Sequence, residues 1–142
     1  MVHASQTVIV HQPIHEVFSF LADGLNNPKW RPDVTSITAR SGRGVGAEYA
    51  QRIKGPGGRS IEGDYRVTRF DEPARLDFEV IAGPARPVGS FTLVALDDRS
   101  TEVTFTIDLK PRGLMVLMTP MINKQVKAEV ATIANLPTAM ST

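Results

Sequence analysis

The side chains best placed to do chemistry are polar groups standing where apolar ones are expected. Glu129 falls inside an apolar stripe, between Val126 and Ile133, and Gln125 borders the same stripe. A carboxylate held away from water needs a cationic partner or a raised pKa. Glu129 is therefore a candidate to pair with an arginine or to orient a ligand hydroxyl, unless it sits at the edge of the stripe and reaches water. Tyr49 and Tyr65 place phenols on apolar strand faces. Arg52, Glu62, Asp64 and Arg66 occupy the alternate faces of neighbouring strands. Cross-strand ion pairing on a solvated face is their ordinary role. A register one residue away turns them inward, which makes Arg52 a further candidate and Glu62 with Asp64 a carboxylate pair for acid–base work. His11 and His15 are four apart, but Pro13 starts a helix between them, so with His3 they form no metal site. Gly55-Pro56-Gly57-Gly58 lacks the Lys-Ser/Thr of a phosphate loop and enters no helix. No nucleophile elbow or dinucleotide fingerprint occurs. Neither a metal nor a cofactor is expected, and catalytic residues stay unassigned.

Those candidates must be positioned by one long helix and a set of strands. Arg112 to Asn135 predicts the helix. Met115, Met118, Ile122, Val126, Val130 and Ile133 recur at steps of three and four and so share a face. Leu114, Val116, Leu117 and Met121 make its first two turns apolar almost all round, which predicts cover on more than one side. Pro120 predicts a kink, since the stripe continues in phase across it, and Pro137 lies beyond the expected end.

Before it, Ser5–His11 is a β-branched strand. Pro13 opens a short helix carrying Ile14, Val17, Phe18 and Leu21, which Asp23-Gly24 ends. Asn26-Asn27-Pro28 caps a second short turn carrying Trp30, closed by Pro32. Period-two alternation then runs to the long helix. Strands are predicted over 34–39, 47–54, 61–70, 76–80, 89–96 and 103–109, separated by Gly-, Pro- and Asp-rich turns. Seven strands result. Six are consecutive with short turns, which implies an antiparallel meander with one covered face. Tyr49, Tyr65, Phe78, Phe91 and Phe105 fall on the apolar faces, and the long helix is the only large element left to cover them.

The length, 142 residues, predicts a single domain with a real core. A net charge of +1, with scattered Arg and Lys, excludes the electrostatic footprint of a nucleic-acid binder. No apolar run spans a bilayer and no signal peptide is evident, so stable membrane insertion is not expected. The absence of cysteine removes disulfides and thiolate chemistry and fits a cytoplasmic protein.

The order of strand, two short helices, six strands and long C-terminal helix resembles the START-like, helix-grip (SRPBCC) superfamily. Pollen-allergen proteins, START lipid-transfer domains and the polyketide cyclase/dehydrase branch belong to it. "IVHQPIHEVFSFLAD" leading to "NNPKWRPDV" is similar to that family's opening, and "YRVTRFDEPARLDFEV" and "STEVTFTIDL" look like its middle and last strands. The resemblance spans essentially the whole chain. It implies an α+β fold whose curved seven-stranded antiparallel sheet wraps the C-terminal helix around an internal cavity holding an apolar molecule. Tyr49, Tyr65, Phe78, Phe91 and Phe105 would line it, Met115, Met118, Ile122 and Val126 would roof it, and Trp30 would stand at its open end. The expected partner is a small hydrophobic or amphipathic molecule (a lipid, a polyketide-like or an aromatic compound) bound by a monomer or homodimer. The alternative is a cyclase/dehydratase acting on a ligand in the same space.

Overall fold

The structure, a computed structural model, describes residues 1–141. It contains the expected helix-grip arrangement with eight strands. They are β1 (Val2–Val10), β2 (Val34–Ser41), β3 (Glu48–Lys54), β4 (Ser60–Glu62), β5 (Tyr65–Asp71), β6 (Arg75–Val80), β7 (Val88–Asp97) and β8 (Ser100–Leu109). Two short helices, α1 (Ile14–Ala22) and α2 (Asn27–Trp30), separate β1 from β2, and α3 (Thr119–Ala131) and α4 (Leu136–Met140) end the chain. The sheet is antiparallel, in the order β1-β8-β7-β6-β5-β3-β2, with β4 paired to β3.

The eighth strand arises because the stretch expected as one strand from Ile61 to Phe70 breaks at Gly63-Asp64. β4 pairs with β3 on one side of the break and β5 resumes on the other. The Asp64 carboxylate accepts the Gln51 N–H at 3.0 Å, and Gly63 N–H donates to the Gln51 carbonyl at 2.8 Å. Both backbone groups of Gln51 are thus satisfied across the interruption.

β8 shows the binary pattern most plainly. Thr101, Val103, Phe105, Ile107 and Leu109 are buried, and their neighbours face outward. The outward row pairs with β1 through hydroxyls, Ser5 with Thr106 at 3.1 Å and Thr7 with Thr104 at 2.9 Å. One face of the sheet is therefore wet and the other carries the core.

The C-terminal helix differs from expectation at both ends. Residues Gly113–Met118 form a 3₁₀ turn, and the α-helix starts at Thr119, with Pro120 in its first turn. Proline lacks the N–H that a first turn leaves unpaired, so it begins this helix instead of kinking it. The 3₁₀ turn is not covered on several sides: Leu114 and Leu117 are 83% and 82% exposed. At the other end, the chain continues through a 3₁₀ turn (Thr132–Asn135) into α4, with Pro137 again in a first turn. The stripe is buried over Ile122, Val126, Val130 and Ile133, and Leu136 extends it. α3 packs on β1 and reaches β8.

The interior has a packed end and a hollow end. At the packed end, Trp30 lies edge-on to Phe91 and Phe105, with ring centroids 5.9 and 5.7 Å away, while Phe91 stacks on Phe105 at 4.6 Å. Away from that packed end, Phe18 of α1 meets Phe70 edge-on at 5.1 Å beside a second, more open cavity. These pairs add to the burial energy of large apolar rings.

Candidate functional site

The hollow end lies between α3 and the sheet. It is a cavity of about 200 Å³. Phe78 and Val80 of β6 and Ile107 and Leu109 of β8 form its floor, and Ile122 and Val126 of α3 form its roof. Its mouth lies between Lys54 and Glu62, around the β3–β4 turn, and Gln125 and Ala128 on α3.

One end of the cavity is polar. Arg31, at the end of α2, donates Nε–H to Glu129 Oε1 at 2.7 Å, and its Nη2 lies 2.5 Å from the same oxygen. Both side chains are largely removed from water, 10% and 22% exposed, so this is a true partly buried ion pair. The guanidinium also lies over the Trp30 ring, 5.7 Å from its centroid. Glu129 Oε2 has no hydrogen-bond partner among the described residues, and the residue faces the cavity. The pair is locally neutral and offers an open acceptor at Glu129 Oε2 beside guanidinium N–H groups that Glu129 does not engage.

Behind it sits a buried amide and phenol cluster. Asn27 Nδ2 donates to Gln51 Oε1 at 3.1 Å and to Tyr65 Oη at 3.0 Å, and Gln51 Nε2 reaches the Gly63 carbonyl at 3.4 Å. Burial pushes the Tyr65 phenol well above its ordinary value, with the Asn27 hydrogen bond opposing the shift. Tyr49 stacks on Tyr65 at 5.1 Å and donates to the Ala22 carbonyl at 3.4 Å. Both phenols are already engaged in hydrogen bonds.

The sequence-derived candidates therefore separate. Phe78, Ile122, Val126, Gln125 and Glu129 surround the cavity. Trp30, Phe91 and Phe105 lie in the packed end, and Trp30 is deeply buried, not at an opening. Tyr49 and Tyr65 stand beside the polar cluster. Met115 packs against the core from the 3₁₀ turn, and Met118 is nearly half exposed. Arg52 lies on the outer face, its Nε donating to Ser60 Oγ at 2.8 Å. The sequence reading missed Arg31 and Asn27, which sit in or beside a four-residue helix too short to show a periodic face. Gln51 had a signal: it is an amide on an otherwise apolar strand face.

A curved antiparallel sheet closed by a C-terminal helix, with an apolar cavity and a polar end, defines a helix-grip domain. The family described as "Polyketide cyclase / dehydrase and lipid transport" matches residues 1–136, and the chain belongs to it. Its fold is shared with a START superfamily protein from Mycobacterium smegmatis, at 19% identity and a TM-score of 0.78, covering 96% of this chain and 94% of that one. It is shared with the ZhuI aromatase/cyclase of Streptomyces sp. R1128, at 17% identity and a TM-score of 0.76, covering 96% and 89%. A Thermus thermophilus protein is similar at 16% identity and a TM-score of 0.73, with 99% of both chains covered. No curated protein matches the chain.

Proposed function

We propose that this protein binds one small, largely apolar molecule with a polar end, held between the sheet and α3. The observation that carries this reading is the cavity of about 200 Å³, apolar along Phe78, Val80, Ile107, Leu109, Ile122 and Val126 and polar at the Arg31–Glu129 pair. Burying the ligand's apolar surface supplies affinity at about 25 cal/mol per Å², less the costs of ordering. The polar end selects by charge. Arg31 is already neutralised, and a ligand carboxylate would meet the Glu129 carboxylate, whereas a ligand hydroxyl can donate to Oε2. The chemistry favours alcohols and phenols of lipid, polyketide-like or aromatic type over free fatty acids. Ile122→Trp fills the roof of the cavity and abolishes binding of a neutral fluorescent probe such as N-phenylnaphthylamine; undiminished probe binding in that variant overturns the reading.

A second reading is an enzyme of cyclase/dehydratase type. It is favoured by one observation: a carboxylate and a guanidinium line the same largely apolar cavity. There they can take a proton from a folded polyketone and stabilise the enolate that forms. Turnover of a model polyketone by the wild type, lost in Glu129→Gln while binding persists, supports this reading. Tyr49→Phe and Tyr65→Phe test the phenols in the same assay. Binding without turnover leaves the binding role alone.

A further inference from the structure

From Lys110 to Ala128 the chain reads KPRGLMVLMTPMINKQVKA, with four cations (Lys110, Arg112, Lys124 and Lys127) and no acidic residue. Within it, the 3₁₀ turn exposes Leu114 and Leu117 to 83% and 82%, and Val116, Met118 and Met121 are exposed beside them. A native surface seldom leaves so many large apolar side chains in water within one short segment. Gly113, at φ +59°, turns the chain away from the end of β8 to present them. The segment leaves the cavity wall at Leu109 and returns to it at Ile122. Both of its ends therefore lie at the cavity wall.

We infer that this segment docks the protein on an anionic phospholipid surface, with Leu114 and Leu117 entering the interfacial layer and the flanking Lys and Arg meeting the headgroups. The pairing of apolar tip and basic flanks is the signature of interfacial binding. A second copy of the chain fits less well, because a twofold contact would set four cations against four, whereas interface cores are depleted of lysine. Nucleic acid fits less well because the centre of the patch is apolar and the whole chain carries only +1. Docking beside the cavity gives an apolar ligand a route into the bilayer that avoids water.

Flotation with vesicles tests this. Wild-type protein floats with phosphatidylcholine vesicles containing phosphatidylglycerol and stays behind with phosphatidylcholine alone, and high salt releases it. Leu114→Asp/Leu117→Asp and Lys124→Gln/Lys127→Gln each lower binding by about tenfold or more. Both keep the wild-type melting temperature, and both still bind the neutral probe, since none of these four residues lines the cavity. Failure of the docking thus reads separately from failure of the ligand site. The inference is overturned if wild type ignores anionic vesicles, or if both variants bind them unchanged. It is also overturned if sedimentation shows a dimer that Leu114→Asp/Leu117→Asp dissolves while vesicle binding is absent.

Discussion

The ring of Phe78 occupies the space in which residue 89 would carry a side chain. The two residues face each other across β6 and β7, and a Cβ built on Gly89 would lie 2.3 Å from Phe78 Cζ and 2.6 Å from Cε1. The Cζ end of the aromatic ring covers the glycine, and the same ring lines the cavity. Gly89→Ala pushes the ring off its seat. Overpacking of this kind costs about 1–3 kcal/mol, so the variant melts several degrees lower and binds less probe. Equal melting temperature and equal probe capacity would show that the ring has somewhere else to go.

Gly24 plays a similar part beneath the polar cluster. A Cβ there would lie 2.2 Å from Tyr65 Oη and 2.8 Å from Tyr49 Cε1. Gly24→Ala is expected to destabilise by about 1–3 kcal/mol. Adding Tyr65→Phe removes the atom met first and recovers part of the loss. Chemical denaturation of the three proteins measures this, and no recovery in the double variant refutes the stated cause.

Arg31 and Glu129 join α2 to α3 across 98 positions of sequence. Glu129→Leu strands a buried guanidinium and is expected to cost about 2–3 kcal/mol. Arg31→Met/Glu129→Leu removes both charges and regains most of it. The double variant also loses discrimination between an alcohol and the matching carboxylic acid in a competition assay. Retained discrimination would place the polar contact elsewhere.

Tyr65 makes a pH prediction. Its phenol titrates higher in the folded protein than its ordinary value of 10.0 because burial disfavours the phenolate. Below about pH 10 both folded and unfolded chains carry the proton and its contribution is complete. Above about pH 10 the unfolded chain releases the proton first, so stability falls as pH rises toward the folded value. Urea titrations between about pH 8 and 11 should show a shallower alkaline decline in Tyr65→Phe than in wild type. Parallel declines would mean that Tyr65 takes no part.

Much of this architecture is legible in the sequence. Alternation in β8 and the run Ile122, Val126, Val130, Ile133 are strong periodic signals, and each determined a face correctly. Glu129 stood out because a carboxylate interrupts that run. Its partner did not, because no local rule links the end of a four-residue helix to a residue 98 positions later. The break at Gly63-Asp64 carried a usable sign, a glycine within a strand, which commonly marks a bulge. The turn at Leu114–Leu117 is exposed where the sequence predicts cover, because composition reports apolarity and not what lies opposite. Pro120 starts a helix where the spacing predicts a kink, because the 3₁₀ geometry before it leaves no mark on side-chain spacing.

β1 and β2 are the two outer strands of the sheet, and the C-terminal helix is fastened to only one of these margins, along β1. The container is therefore bound like a book at its spine, and away from that margin α2 is tied to the C-terminal segment by the Arg31–Glu129 clasp and by Asn135 Nδ2 donating to the Trp30 carbonyl. Under the proposed binding role, such a vessel would fix the chemistry at the clasp and let its width follow the guest. Tolerance for guests of differing girth, with strict demand at the clasp, is the selectivity that the proposed role would draw from this construction, and amide exchange faster in β2–β4 than in β8 would be its trace in solution.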